Sequence, residues 1–436
     1  MKIYSYPSKS AEKKVVAIVN RGLDFRKKDV RDVTRIVTDV RKNGDKALMR
    51  YVNRFDSPEM KIASLTVTRE EMNAAAKQAD RSFVRALNRA AKQIEAFHSA
   101  QRSASWMSAL RPGALVGQMV NPVDAAGIYV PGGTGGKTPL VSSVLMGAIP
   151  AKIAGVKQVV MATPPMADGT VNPHLLVAAK RAGVDAVYKA GSAWAIAALA
   201  YGTETVPRVD VIVGPGNIYV TIAKKIVAGD VGIDMVAGPS EILIVADNTS
   251  NPEFIAADLL SQAEHDAMAS AILATDSRDT AEAVTAALKV QLEGLVRKDI
   301  ARASLAKYGA IMVVPDMDTA LELANRIAPE HLELHVAEPF DHIGKVRNAG
   351  AVFIGDYTPE PMGDYVAGPN HVLPTGGTAR FSSALSVDNF IKKTNIIRYS
   401  RSAFKREAPD VIRLAEIEGL GAHANSVKIR LSQLPK

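Results

Sequence analysis

Short apolar segments alternate with segments of helical character from about residue 121 onward, and this alternation constrains the fold more than any other feature of the chain. It begins with AAGIYV (Ala125–Val130) and KQVVMAT (Lys157–Thr163), resumes with EILIVAD (Glu241–Asp247) and continues to GAVFIGD (Gly350–Asp356). Apolar strands that alternate with helices at this spacing form parallel sheets with right-handed crossovers. The sequence therefore predicts two α/β units.

The pattern of the first 112 residues predicts mainly helices and no functional site. We expect a short strand at Lys2–Tyr6, a long helix at about Val30–Phe55, and a second helix from the capping box of Thr68 and Glu71 to about Gln101. This part holds 24 Lys and Arg against 12 Asp and Glu, while the remainder holds 29 against 33, so the positive excess belongs to the N-terminal part and the rest is slightly acidic. Because no aromatic cluster or recognition module accompanies these charges, we interpret them as a solvated helix surface and predict no nucleic-acid partner.

The absence of cysteine limits the chemistry. Disulfides, thiolate ligands and a cysteine nucleophile are excluded, and any zinc must be held by nitrogen and oxygen atoms. The most apolar helical stretch, Leu140–Ala154, is too short to span a bilayer, and the N-terminus has no apolar segment typical of a signal peptide. We therefore predict a cytoplasmic protein with no membrane partner.

A candidate metal site follows the strand EILIVAD. The segment from Asn251 to Asp266 predicts a helix on which Gln262 and His265, three residues apart, share one face. Two such donors can hold a metal if further ligands come from elsewhere. A solvated helix face gives the same pattern and is the more common interpretation, so this pair alone does not decide between them.

Reactive side chains collect in three later segments. Glu330 and His331 lie in APEHLEL, Asp364 and His371 lie in the irregular segment GDYVAGPNHVLP, and EGLGAH near the C-terminus carries Glu418 and His423. Glycine-rich turns, Gly132–Lys137 and Gly214–Asn217, follow two predicted strands. Backbone amides at such turns can hold a pyrophosphate, although glycine turns without a ligand are equally compatible with the pattern.

The chain resembles histidinol dehydrogenase. The resemblance covers essentially the whole chain in order, in the segments GIYVPGGTGG, SSVLMGAIPAKIAGV, GPGN, IDMVAGPSEILIVAD, LLSQAEHD, APEHLEL, GDYVAGPNHVLPTGGTARFSSALSV and EGLGAHANSVKIR. Several of these segments are long and peculiar to that family.

The resemblance implies one zinc ion per subunit and a shared active site. The zinc ligands would be Gln262, His265, Asp364 and His423, with His423 donated by the partner subunit of a homodimer. Such a site would leave coordination positions for the amine and imidazole of the substrate. Ser240 and Glu418 would contact the substrate as well, together with the zinc ligands and His331.

The resemblance also implies the reaction, a four-electron oxidation of L-histidinol to L-histidine through L-histidinal, with two NAD⁺ used in turn. His331 would act as base, since an imidazole titrates near neutral pH, and Glu330 would activate the water that adds to the aldehyde. Tyr129 and Asn217 match cofactor positions. At a third such position, where a glutamine is expected, this chain has Trp194, so the dinucleotide contact must differ there, for example by stacking.

Two alternatives remain open. A relative within the family could oxidise another small alcohol such as a sulfonated diol, although this chain keeps the forms expected for histidinol. A zinc- or nucleotide-binding protein without catalysis would be expected to lack the base or the water-activating residue, yet Glu330 and His331 are both present.

The fold implied by the resemblance consists of two incomplete Rossmann-like parallel-sheet units, one inserted in the other, with a small N-terminal arm and a helical C-terminal tail. We expect the arm at residues 1–28, the larger α/β domain at 29–127 and 242–385, and the inserted domain at 128–241. The tail, 386–436, would reach the partner subunit.

Overall fold

The structure, a computed structural model, describes residues 1–21, 25–133 and 138–434. Its strands are β1 (Ile3–Ser5), β2 (Trp106–Arg111), β3 (Ala114–Pro122), β4 (Ala125–Tyr129), β5 (Gln158–Thr163), β6 (Ala186–Lys189), β7 (Val211–Val213), β8 (Gly232–Ile233), β9 (Glu241–Ala246), β10 (Ser270–Thr275), β11 (Ala310–Val313), β12 (His331–His335), β13 (Ala351–Ile354) and β14 (Ile391–Tyr399).

The α-helices are α1 (Lys9–Val19), α2 (Lys27–Phe55), α3 (Arg69–Gln78), α4 (Arg81–Ser99), α5 (Val141–Ala154), α6 (Pro173–Arg181), α7 (Ser192–Tyr201), α8 (Ile218–Val227), α9 (Pro252–Ala263), α10 (Arg278–Glu293), α11 (Lys298–Lys307), α12 (Met317–Ile327), α13 (Pro339–Ile343), α14 (Glu360–Tyr365), α15 (Arg401–Ile417) and α16 (Gly421–Ser432).

Two parallel sheets form the first compact unit, which comprises residues 1–101 and 124–390. The five-stranded sheet has the order β6-β5-β4-β7-β8, and the six-stranded sheet has the order β1-β11-β10-β9-β12-β13. Leaving β1 aside, each sheet starts from a central strand and reverses its direction of growth once, which is the doubly wound pattern. The strands of the five-stranded sheet lie in the sequence between β1 and β9, so one sheet is inserted in the other, and the predicted fold class is confirmed.

Helices predicted near the N-terminus pack on the inserted sheet. Val33, Val37, Leu48 and Val52 of α2 share one apolar core with α7 and with strands of the five-stranded sheet, while α3 packs on α6 and α4 packs on α5. Residues 29–127 are predicted to belong to the larger domain instead, and β4 begins at Ala125, before the predicted boundary. The domain limits themselves stay a prediction.

Continuous apolar runs explain the six-stranded sheet. Every residue of β9 and β10 is buried, because helices cover both faces of the sheet. Helices α9 and α10 pack on one face, and α1 and α12 pack on the other. The packing of helices on both faces of the sheet holds β9 and β12, and therefore the residues at which they begin, in place.

The second compact unit, residues 102–123 and 391–436, consists of the antiparallel sheet β14-β3-β2 and the helices α15 and α16. The tail was predicted to be helical, and this is correct only from Arg401 onward. Residues Ile391–Tyr399 form a strand that pairs along the whole of β3. The sequence IKKTNIIRY does not alternate between polar and apolar residues, and only Ile391 and Ile396 of this strand are partly buried.

Two further differences concern one predicted helix and one strand. The helix predicted from Thr68 to Gln101 is two helices, because Ala79 has extended backbone angles and Asp80 caps the start of α4 by accepting hydrogen bonds from the amides of Ser82 and Phe83. The segment after Ile327 contains β12, which the sequence analysis did not predict. Among the described helices, none is both long and apolar enough to cross a membrane.

Candidate active site

A cavity of about 310 Å³ brings together five of the residues predicted to be functional, Ser240, His265, Glu330, His331 and Asp364. It lies where the carboxyl end of β7 in the five-stranded sheet faces the amino ends of β9 and β12 in the six-stranded sheet. Its lining residues include Leu140, Ser143, Gly214, Pro215, Gly216, Lys224, Asp234, Ser240, His265, Glu330, His331, Glu360, Asp364 and His371.

Glu330 and His331 stand at the start of β12 and are held by the backbone of Glu241, the first residue of the neighbouring strand. The amide of Glu241 donates to the Glu330 carboxylate over 3.1 Å, and its carbonyl oxygen lies 3.1 Å from Nδ1 of His331. The parallel pairing of β12 with β9, in which His331 is opposite Ile242, produces both contacts. Glu241 is in turn anchored by a buried ion pair with Arg21, 2.8 Å long.

The surroundings of His331 fix its tautomer. Its Nδ1 lies within 3.1 Å of two oxygen acceptors, the carbonyl of Glu241 and Oε1 of Gln262. Nδ1 must therefore carry the hydrogen, which leaves Nε2 as the unprotonated nitrogen. Nε2 is 3.7 Å from Oε1 of Glu360. An unprotonated Nε2 in this position can accept a proton.

Burial shifts the titration of both residues of the pair. It lowers the pKa of His331 to about 3 and raises the pKa of Glu330 to about 8. The expectation of an imidazole that titrates near neutral pH is therefore not met, since His331 is neutral throughout the physiological range. The reason is desolvation, which disfavours the charged form of each group.

Three of the four predicted zinc ligands belong to this site. Gln262 is completely buried at the end of α9, while His265 lies on the turn beyond that helix, where the sequence had predicted it on the helix face. Nδ1 of His265 donates to the carbonyl of Ser261 over 2.8 Å, which makes Nε2 the nitrogen with the lone pair. Asp364 lies on α14 rather than in a loop, and burial raises its pKa.

The donor atoms fit a zinc ion. An imidazole oriented by a backbone carbonyl, a carboxylate and an amide oxygen are all zinc ligands, and the hydrogen bond to Ser261 is the kind of outer contact that orients a ligating histidine. Gln262 directs Oε1 toward His331, and its Nε2 is buried without a hydrogen-bond partner in the described part of the chain. The other lone pair of Oε1 remains available for a metal.

Glu418 and His423, the remaining predicted substrate and zinc residues, belong to the second compact unit. Glu418 follows the end of α15, His423 lies in the first turn of α16, and both side chains are exposed. The role predicted for His423 requires a partner subunit, and the roles of both residues stay predictions.

The predicted cofactor residues differ in accessibility. Asn217 is exposed and caps α8, since its Oδ1 accepts hydrogen bonds from the amides of Tyr219 and Val220. Tyr129 is buried, and its hydroxyl accepts a hydrogen bond from the amide of Ser192. The turn before Asn217 begins with Gly214, whose φ of +116° and close approach to the Tyr129 carbonyl leave no room for a Cβ. In the other glycine turn, residues 134–137 lie outside the described residues.

Trp194 does not present its indole to a ligand. The ring is 6% exposed, stacks against Tyr51 and Phe55 with centroid distances of 6.1 and 5.3 Å, and donates from Nε1 to Asp56 over 2.9 Å. This geometry argues against the nucleotide contact predicted at this position, because both the face and the single donor of the indole are already used.

Glu360 and the pair Lys224–Asp234 are site residues that the sequence analysis missed. Glu360 is 2% exposed beside His331, and its position four residues before Asp364 on one helix was the available signal. Lys224 and Asp234 form a buried ion pair, and together they bind both backbone groups of Gly214, over 3.0 Å and 2.8 Å. No local pattern marks such a pair, because its members come from a helix and from the segment after β8.

Comparisons with known proteins agree on one family. The histidinol dehydrogenase family profile matches residues 20–431. A histidinol dehydrogenase from Desulfotalea psychrophila is 56% identical over 92% of both chains, and one from Geobacter metallireducens is 50% identical over 99% of this chain and 98% of its own. The crystal structure of histidinol dehydrogenase from Elizabethkingia anophelis superposes with a TM-score of 0.93 at 37% identity, over 99% of this chain and 98% of that one. This chain therefore belongs to the histidinol dehydrogenase family.

Proposed function

We propose that the chain is an NAD-dependent, zinc-containing enzyme that oxidises L-histidinol to L-histidine through L-histidinal, in histidine biosynthesis in the cytoplasm. The names of the relatives support the substrate. The observation that carries the proposal is the pair Glu330–His331, which the backbone amide and carbonyl of Glu241 hold at the edge of the cavity with Nε2 of His331 unprotonated.

In the first oxidation His331 is the base. Its Nε2 accepts the hydroxyl proton of the alcohol while a hydride leaves the carbinol carbon, so that the C–O bond becomes a carbonyl. NAD⁺, when bound, accepts that hydride. Because burial keeps the imidazole neutral, it is ready for this step throughout the physiological pH range, and as a weak base it releases the proton readily.

In the second oxidation Glu330 is the base. The aldehyde has no hydroxyl proton until water adds to it, and the ionised carboxylate takes a proton from that water as the C–O bond forms. The hydrated aldehyde then loses a hydride as the alcohol did. Since Glu330 and His331 are adjacent and share the anchor of Glu241, one site can run both steps.

Gln262, His265 and Asp364 would hold the zinc, together with the partner subunit's His423 in a homodimer. Bound zinc would orient the substrate through its amine and imidazole nitrogens. Ser240, half-buried in the cavity wall, and Glu418 would also contact the substrate, the carboxylate of Glu418 being suited to a cationic amine. Because the side chain of Asn217 caps α8 with Oδ1, its Nδ2 group remains available to donate a hydrogen bond to the nucleotide. The hydroxyl of Tyr129 accepts a hydrogen bond from the amide of Ser192 and so supports the start of α7.

The test is a measurement of stoichiometry. Purified protein with zinc, histidinol and NAD⁺ should form two NADH and one histidine per histidinol consumed, and a strong chelator should abolish the reaction until zinc is restored. Activity with a sulfonated diol but not with histidinol would favour the other alternative within the family. Zinc or NAD⁺ binding without any turnover would overturn the enzymatic assignment.

A further inference from the structure

A second group of buried titratable side chains lies beside the candidate active site. Asp258 on α9 and Glu333 and His335 on β12, here named the Asp258 cluster, have donor atoms within 4.8 Å of one another. Nε2 of His335 is 3.2 Å from Glu333 and 3.7 Å from Asp258. Glu333 and His335 are at most 1% exposed and Asp258 is 8% exposed. None of these side chains belongs to the proposed ligand set.

Two members of the cluster share a face with residues of the site: Glu333 is two residues from His331 on β12, and Asp258 is four residues from Gln262 on α9. Alternate residues of a strand point to the same face, so Glu333 lies on the side of β12 that carries His331. Residues four apart on a helix are neighbours, so Asp258 lies one turn before Gln262. The cluster therefore connects the helix of one proposed zinc ligand to the strand of the proposed base.

Glu333 also reaches the third element of the site. Its Oε1 accepts a hydrogen bond from the backbone amide of Glu360 over 2.9 Å, and Glu360 is the first residue of α14. An amide at the start of a helix has no partner within the helix, so this contact fixes where α14 begins. Asp364 follows one turn later. A short helix with no side-chain cap of its own depends strongly on such a contact.

The charges of the cluster agree with a permanent network. Burial and the charge of Glu333 raise the pKa of Asp258, and although burial opposes protonation of His335, its contact with Glu333 raises the pKa of the imidazole. The imidazole of His335 faces Glu333 and Asp258 with Nε2 and Asp356 with Nδ1, at 3.2, 3.7 and 3.4 Å. Removing one member of a buried charged group is costly, because the others remain unpaired.

We propose that the Asp258 cluster is a positioning device, with Glu333 as its central residue. It holds α9, β12 and α14 in register, so that Gln262, His331 and Asp364 face one another. The inference rests on the proposed zinc function, since it assigns to Glu333 a share of the zinc affinity without making it a ligand. Outer-layer residues of this kind contribute 10- to 100-fold to metal affinity in other proteins.

The experiment compares three variants. Glu333→Met keeps the approximate volume but removes the acceptor for the Glu360 amide, Glu333→Gln retains an acceptor oxygen, and Thr275→Val changes a buried polar residue of the same sheet outside the cluster. Zinc affinity is measured by competition with a chromophoric chelator. Amide hydrogen exchange of peptides covering 360–366 is measured in metal-free protein.

We expect Glu333→Met to weaken zinc binding by about 10- to 100-fold and to accelerate exchange at the start of α14. Glu333→Gln should recover most of the affinity, and Thr275→Val should bind zinc as the wild type does. Wild-type affinity and exchange in Glu333→Met would overturn the inference. If that variant does not fold, His335→Leu, which removes the donor to Glu333, must show both changes to a smaller extent, and wild-type values there would overturn it equally.

Failure of the proposed function gives a different result. A wild-type protein that binds no zinc would contradict the zinc assignment, whereas exchange at 360–366 in metal-free protein would still decide whether Glu333 positions α14.

Discussion

The backbone carbonyl of Glu241 lies 3.1 Å from Nδ1 of His331, and this contact determines which nitrogen of the imidazole can act as a base. The amide of the same residue donates a hydrogen bond to Glu330, so the backbone of one residue holds both members of the proposed catalytic pair. Side-chain substitutions at residue 241 cannot remove these bonds. These hydrogen bonds depend on the pairing of β9 with β12, so the sheet is part of the proposed catalytic site.

Replacement of His331 should separate base catalysis from binding. His331→Asn keeps a donor near Glu241 but places no basic nitrogen in the cavity, so kcat for histidinol should fall by about 10²- to 10⁴-fold. Zinc content and the KM for NAD⁺ should change little. His98→Asn, at another fully buried histidine on α4, serves as the control for loss of a buried imidazole. A kcat near the wild-type value in His331→Asn would remove this residue from the mechanism.

The parts of the fold that the sequence predicted are those in which burial is uniform. The strands at Glu241–Ala246 and Ser270–Thr275 are apolar throughout, so their pattern alone identifies them. β12 was missed because its buried sequence, HLELH, alternates apolar residues with charged ones that the site and the Asp258 cluster require. The antiparallel sheet of the second unit was missed because β2 and β14 are mostly exposed and its strands come from distant parts of the chain.

The site was predictable from motif resemblance rather than from spacing. Glu330, His331, His265 and Asp364 line one cavity, as the resemblance implied, but no local period places the segments that carry them next to each other. The contribution of Glu360 and the inward orientation of Trp194 depend on tertiary packing. A single sequence contains no direct signal for either.

The two oxidations should depend differently on Glu330. Glu330→Gln cannot accept a proton from water, so histidinol should be converted to histidinal, which should then accumulate. In the wild type, oxidation of supplied histidinal should accelerate as pH rises through the region of the raised pKa of Glu330, about 8, because only the ionised carboxylate is a base. Stopped-flow measurement of each half-reaction between pH 6 and pH 10 tests both statements, taking this range as roughly two pH units either side of that pKa. Equal losses in both steps would refute the separate roles.

Mixed dimers test whether the site is shared between subunits. His331→Asn and His423→Asn should each be nearly inactive as homodimers, and His423→Asn should contain less zinc. In a heterodimer of the two variants, one site combines an intact His331 with the partner subunit's His423. An equimolar mixture reassembled after dissociation should therefore regain about a quarter of wild-type activity, since half of the dimers are mixed and each has one intact site. No recovery in verified heterodimers would place His423 in the site of its own chain.

Asp56, the acceptor for Trp194 and for the amide of Gly191, should make the protein less stable as pH rises. Burial raises its pKa to about 6, so between its unfolded value near 3.8 and that value the folded chain binds more protons than the unfolded chain. The free energy of unfolding then falls across this window and levels off above it. Asp56→Asn keeps an acceptor oxygen but cannot ionise. Urea unfolding should therefore show this variant to be more stable than the wild type at pH 8, by at most about 3 kcal/mol, and similar in stability near pH 4.

Asp80→Asn provides a control of opposite sign. Hydrogen bonds from Ser82 and Phe83 lower the pKa of this exposed cap, so that variant should lose stability relative to the wild type as pH rises. If Asp56→Asn and the wild type kept a constant difference from pH 4 to pH 8, the carboxyl group of Asp56 would not be desolvated in the folded protein.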